Sequence, residues 1–150
     1  MAEGFNFKFD WNNFEKTCAN KFSSLRHNTS LADITLVGND LEKIRAHKIV
    51  LSSGSPFFSN LVEAMPTHNP FLYLNNVPSK IINLALDFLY KGQAVVCQED
   101  MKFFFNFAKM LQLDGLTYGG EPRNEGSVEA QEIPLDYRKI AAEKYIIYKL

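Results

Sequence analysis

The chain opens on an alternation. In "FNFKFDW" Phe5, Phe7 and Phe9 fall on one side and Asn6, Lys8 and Asp10 on the other. A period of two predicts a half-buried strand. It begins almost at the first residue, so no earlier strand stands ready to pair with it. The pattern therefore asks for a partner elsewhere, another subunit included.

From Asn12 the period lengthens. Phe14, Cys18, Phe22 and Leu25 recur at helical spacing, with Asn12 or Asn13 as the N-cap. "RHNTS" breaks the pattern. "ADITLVG" reads as a strand, Asn39-Asp40 as a turn and the residues up to Ala46 as a second strand, together a hairpin. "AHKIVLSSGS" predicts a short helix ending near Gly54. Ser55-Pro56 then opens another, with serine as N-cap and proline at the first helical position. After the loop "MPTHNP", "FLYLNNV" is a third strand. Pro78 starts a longer helix with Ile81, Ile82, Leu84, Ala85, Phe88 and Leu89 on its apolar face, ended by Gly92. "QAVVCQ" reads as a short strand. "EDMKFFFNFAKMLQLDGL" is one helix, or two with a kink, ending at Gly115.

After Leu116 the pattern fades. Residues 117–134 are rich in Gly, Glu and Pro without a periodic apolar face, and read as a linker. Residues 135–150 regain apolar positions. Tyr137, Ala141, Tyr145 and Tyr148 would share a helix face; "KYIIYKL" fits a strand equally well. The division is thus a domain over 1–116, a linker over 117–134 and an apolar segment over 135–150.

Composition narrows the function. A net charge of −1 lacks the basic excess of a phosphate-neutralising nucleic-acid binder. Two cysteines, Cys18 and Cys97, stand far apart without zinc-finger spacing and read as free thiols in a reducing compartment. No apolar run has membrane-spanning length and no signal peptide is visible, so a soluble intracellular protein is expected. Thirteen Phe promise an aromatic core or interface. Four of them crowd into "FFFNF", Phe103 to Phe107, and cannot all share one helical face. At least one should point outward, a mark of an interface.

Catalysis finds little support. His47 lies near Ser52, Ser53 and Ser55, yet G-x-S-x-G is absent, and a structural histidine at a strand-to-helix junction is the better reading. His27 and His68 sit in polar loops. No paired-histidine spacing suggests a metal, and no phosphate loop is present. Asp33 and Lys48 draw more interest, because both lie at the edge of apolar runs. They are either a partly buried ion pair or two independent surface charges.

These residues together resemble the BTB/POZ family. The resemblance rests on "LADITLVGNDLEKIRAHKIVLSSGSPFFSNL", "FLYLNNV", "ALDFLYKGQAVV" and "AKMLQLDGL", and runs from about Phe5 to Leu116. "FKFDWNNF" is similar to the signature of the insect tramtrack-type subgroup, and "MPTHNPFLYLNNV" is similar to the BTB domain of the modifier-of-mdg insulator protein.

The resemblance implies an α+β fold, a helical cluster flanked by a small mixed sheet, with an N-terminal strand exchanged between subunits. It implies a dimer built on the helix from about Asn12 to Leu25 and the strand Phe5 to Asp10. Phe5, Phe7, Phe9, Trp11, Phe14, Cys18 and Phe22 would lie at that interface. Asp33 and Lys48 match a charged pocket at the dimer interface of transcription-factor members. Lysine stands where many members have arginine, which keeps the charge and loses the planar fork.

There are departures. Gly54 stands where the subgroup usually has Cys or another small residue, and Gln93 and Ala94 where it usually has Glu and Val, which weakens the last strand. The zinc fingers that usually follow are missing, so the chain looks like a BTB-only protein. The expected function is a nuclear adaptor without cofactor or enzymatic activity. Its partners would be itself and other BTB transcription or chromatin proteins, with no direct contact to nucleic acid or membrane. The alternative is a substrate adaptor for a cullin-3 ubiquitin ligase. That contact typically uses a hydrophobic-x-acidic motif, but Met101-Lys102-Phe103 lacks the acid. In the terminal segment, Tyr137, Ile140, Tyr145, Ile147 and Tyr148 are expected to dock on a partner or a neighbouring subunit, against the alternative of a disordered tail.

Overall fold

A computed structural model describes residues 4–65, 67–116 and 145–148. Its elements follow in the order α1 (Phe14–Leu25), β1 (Ile34–Val37), β2 (Lys43–Ala46), α2 (Lys48–Gly54), α3 (Pro56–Ala64), β3 (Phe71–Leu74), α4 (Ser79–Lys91), α5 (Met101–Met110) and β4 (Tyr145–Tyr148).

The hairpin forms as the sequence predicts, with Ile34 opposite Ala46 and Val37 opposite Lys43. Its turn needs glycine at Gly38. A Cβ there would sit 2.7 Å from Asp40 Oδ1 and 2.8 Å from the Ser79 nitrogen. β1 also pairs in parallel with β3, and β3 pairs antiparallel with β4, giving the order β2-β1-β3-β4. This is the small mixed sheet of an α+β fold. All four residues of β1 are buried, as expected of an interior strand with both faces covered. β2, at an edge, alternates exposed and buried residues.

Helices pack on this sheet through Val50, Leu51, Phe58, Ile81, Ile82, Leu86, Phe104, Phe107 and Leu111, which join Ile34, Leu36 and Leu72 in one core. Ser55 is the corner between α2 and α3. Its Oγ accepts the Phe58 N–H at 3.2 Å and donates to the Leu111 carbonyl, tying α3 to the end of α5. Gly92 closes α4 at φ 75°, a left-handed conformation glycine adopts without steric cost.

Four local expectations need correction. Asn13 occupies the N-cap of α1 in a left-handed conformation, and its side chain makes no capping bond. Residues 5–10 form no ladder among the described residues, and their phenylalanines are exposed rather than half-buried. "QAVVCQ" forms no strand, since no described backbone pairs with it. The last helix stops at Met110, and turns carry the chain on to Gly115. Of the two readings of "KYIIYKL", the strand holds over Tyr145–Tyr148. Tyr137 and Ile140 lie outside the described residues.

Candidate interaction interface

α1 is an anomaly of packing. None of its twelve residues is buried, and a helix in water owes most of its stability to a buried apolar face. Phe14 and Phe22 are exposed and Cys18 is half-buried. The segment before it is barer still, with Phe5, Phe7 and Phe9 exposed at 86%, 81% and 92%. Trp11 stacks edge-on to Phe14 at 5.1 Å between centroids, and Lys21 Nζ lies 6.0 Å from the Trp11 ring. Exposed aromatic residues from Phe5 to Phe22 thus form one run of chain, the set expected at a subunit interface.

Leu25 packs against the core, and a polar cluster beside it also ties α1 to the domain. Arg26, just past its last turn, donates from Nε to Asp87 Oδ1 at 3.3 Å and from Nη2 to Asn83 Oδ1 at 2.6 Å. Its guanidinium lies 5.9 Å from the Tyr90 ring. All three partners are on α4. Asp87 also receives Lys91 at 3.5 Å.

Asp33 and Lys48 are brought together, but not as an ion pair. The carboxylate Oδ1 accepts the backbone N–H of Lys48 at 2.7 Å, at the first residue of α2. The lysine ammonium instead donates to the Thr67 carbonyl at 3.0 Å. The carboxylate therefore satisfies a helix N-terminal N–H, where a negative charge is also favoured by the helix dipole.

His47 is buried at the strand-to-helix junction, as expected of a structural residue. Its backbone N–H donates to Tyr90 Oη at 2.9 Å, and the same hydroxyl lies 2.6 Å from Nδ1. The ring's other nitrogen, Nε2, is buried and has no hydrogen-bond partner among the described residues. Burial pushes the Tyr90 phenol up to about 12. His27 and His68 are exposed.

Three contributors were not legible beforehand. Tyr90 and Arg26 act across more than forty residues of sequence. Ile49 on α2 is exposed, and its signal was the run Ile49-Val50-Leu51, three consecutive apolar positions that cannot share one helical face. On α5, Phe104 and Phe107 are buried while Phe103 and Phe105 are exposed, as the crowded phenylalanines implied. Lys109 Nζ lies 4.4 Å from the Phe105 ring. Val95, in the stretch that lacks its strand, is 91% exposed.

Around Asp100 a small polar cluster pins α5 to α4. Lys80 pairs with it, and Cys97 Sγ donates to Oδ2 at 2.9 Å. The Cys97 thiol, followed by the Lys80 ammonium, holds the Asp100 carboxyl below its ordinary value, and Asp100 in turn raises Lys80. Among the described residues no cluster of three or more His, Cys, Asp or Glu is placed to hold a metal, and no helix is long and apolar enough to cross a membrane.

The family model described as the BTB/POZ domain matches residues 22–119. In Drosophila melanogaster, protein bric-a-brac 2 is 33% identical over 129 residues, 86% of this chain and 12% of that protein. The alpha isoform of tramtrack is 35% identical over 111 residues, 74% of this chain and 14% of that protein. The chain thus spans a small fraction of those two relatives. Longitudinals lacking protein-like is nearer in length: 34% identity over 116 residues covers 77% of this chain and 91% of that protein. Among solved structures, the BTB domain of zebrafish PATZ1 superposes with a TM-score of 0.59 at 21% identity, covering 72% of this chain and 88% of that one. The BTB domain of human gigaxonin gives 0.60 at 19%, covering 74% and 91%.

Proposed function

Since the chain belongs to the BTB/POZ family, whose domains are protein–protein interaction modules rather than enzymes, we propose that it acts as a self-associating adaptor through its N-terminal aromatic segment. The observation that carries this is the exposed aromatic run from Phe5 to Phe22, which leads into and along a helix with no fully buried residue. In the proposed dimer, α1 packs on its counterpart and residues 5–10 add as a strand to the other subunit. Phe5, Phe7, Phe9, Trp11, Phe14, Cys18 and Phe22 supply the interface, and the stretch 93–97, with Gln93, Val95 and Cys97 exposed, is the strand acceptor. Covering a phenylalanine side chain stabilises by about 1.5–3 kcal/mol. Several such residues offset the roughly 4–15 kcal/mol that association costs in lost freedom.

The adaptor works in the nucleus, in transcription regulation or chromatin organisation. It joins itself and other BTB proteins without contacting DNA. The likeness to tramtrack and bric-a-brac 2 and the near-neutral charge support this reading. In the proposed dimer Asp33 and the Lys48 side chain line the charged pocket that the family resemblance implies at the subunit interface. The test is the triple variant Phe5→Ser/Phe7→Ser/Phe9→Ser. It should run at half the wild-type mass in light scattering and recover fewer BTB partners from nuclear extract. An unchanged mass would remove the N-terminal segment from the interface.

A second reading, a cullin-3 substrate adaptor, is favoured by the exposed Phe103 and Phe105 on α5. Robust capture of purified cullin-3 would place it first.

A further inference from the structure

β3 pairs on one side with β1, and its other side faces outward from the three-stranded part of the sheet. A strand in that position presents a row of N–H and C=O groups that accepts another strand. In this chain β4 takes the place, antiparallel, with Leu74 opposite Tyr145, Leu72 opposite Ile147 and Phe71 opposite Tyr148. We propose that the β3 edge is a strand-docking site whose resident occupant is the chain's own Tyr145–Tyr148, and that an extended apolar segment of a partner enters by displacing it.

Three features favour a replaceable occupant over a fixed part of the sheet. The pairing is four residues long, and each backbone hydrogen bond contributes about 1 kcal/mol net. Such a strand is held weakly by itself. Second, "YIIY" consists of strong strand formers, bounded in sequence by Lys144 and Lys149. Flanking charges of this kind discourage open-ended strand addition and leave a single rung specific. Third, β3 and β4 belong to one chain, so re-pairing is intramolecular and draws on an effective concentration rather than on free strand. That suffices to keep a weak strand in place and still lets it leave. A competing segment would be short, extended and rich in Ile, Val or Tyr, without proline at the paired positions.

The inference does not depend on the dimer, and its readouts are not masses. A fluorescein-labelled peptide of residues 142–150 is titrated against the full chain and against the full chain carrying Ile146→Pro/Ile147→Pro, which removes two ladder donors. A second variant ending at Lys144 repeats the comparison. The vacated edge should bind the peptide at least about tenfold more tightly than wild type, because an intramolecular competitor shields the edge. Amide exchange across Phe71–Leu74 should speed up in the variants. Equal binding to all three proteins, or no binding to either variant, would overturn the proposal. So would wild-type β3 protection that rises with chain concentration, because it would place a second copy's strand on the edge.

Discussion

The backbone N–H of Lys48 donates to Asp33 Oδ1 at 2.7 Å, while the lysine ammonium turns away to the Thr67 carbonyl. Asp33 is therefore a helix-capping residue for α2. In the single chain the relation does not use the Lys48 charge. Asp33→Ala should cost about 1 kcal/mol, within the 0.5–2 kcal/mol of lost caps. Asp33→Asn, which keeps an acceptor, should cost a few tenths. Lys48→Met removes the part-buried hydrogen bond to the Thr67 carbonyl and should cost about 0.5–1.5 kcal/mol. A double-mutant cycle by urea denaturation checks this. The coupling between Asp33→Ala and Lys48→Met should be near zero, whereas an ion pair would couple them.

Ser55 joins three elements. It caps α3 and donates to the last turn of α5 while fully buried. Ser55→Ala removes the cap and leaves the Leu111 carbonyl without this donor, a loss of about 1–3 kcal/mol. The midpoint of chemical denaturation should fall with an unchanged slope.

Tyr90 links α4 to the His47 junction. In Tyr90→Phe the His47 N–H and Nδ1 lose their partner in a buried site, which should cost about 1–3 kcal/mol. The phenol also brings a pH dependence. Its ionisation is pushed up to about 12 in the folded protein, chiefly by burial, against 10.0 ordinarily. The folded state keeps the proton that the unfolded state releases. The contribution is thus fully present below pH 10 and is lost as pH rises towards 12. Denaturation between pH 9 and 12 should show wild type declining more steeply than Tyr90→Phe.

Arg26 holds α1 to α4 with two donors of a planar fork. Arg26→Lys keeps the charge and cannot reproduce both bonds. It should destabilise by about 1 kcal/mol and raise amide exchange in α1 more than elsewhere. Uniform exchange across the domain would contradict this role.

Local chemistry made most of the fold readable in advance. The Asn39-Asp40 turn, the Ser55-Pro56 corner, the Ile81, Ile82 and Ala85 positions of α4 and the Gly92 stop are all set by neighbours a few residues apart, whereas α4 buries Leu86 and Tyr90 in place of Leu84, Phe88 and Leu89. The illegible parts depend on distant backbone. "QAVVCQ" has strand residues, but a strand needs a ladder, and the described chain offers none there. The alternation of Phe5, Phe7 and Phe9 carried the opposite lesson, since its missing partner was implied by the pattern itself. Asp33 and Lys48 stand open in the sequence between an ion pair and two independent charges, because periodicity does not tell a backbone N–H from an ammonium. Tyr90 gave a faint signal, one turn beyond Ile82 and Leu86 on the same face, but nothing near it in sequence named His47 as its partner.

The central claim is that the N-terminal aromatic segment joins subunits. Sedimentation equilibrium of the intact chain at micromolar concentration tests it most directly. The account predicts a mass of two or more multiples of 17.1 kDa; a single species at 17.1 kDa with residues 1–25 intact would contradict it.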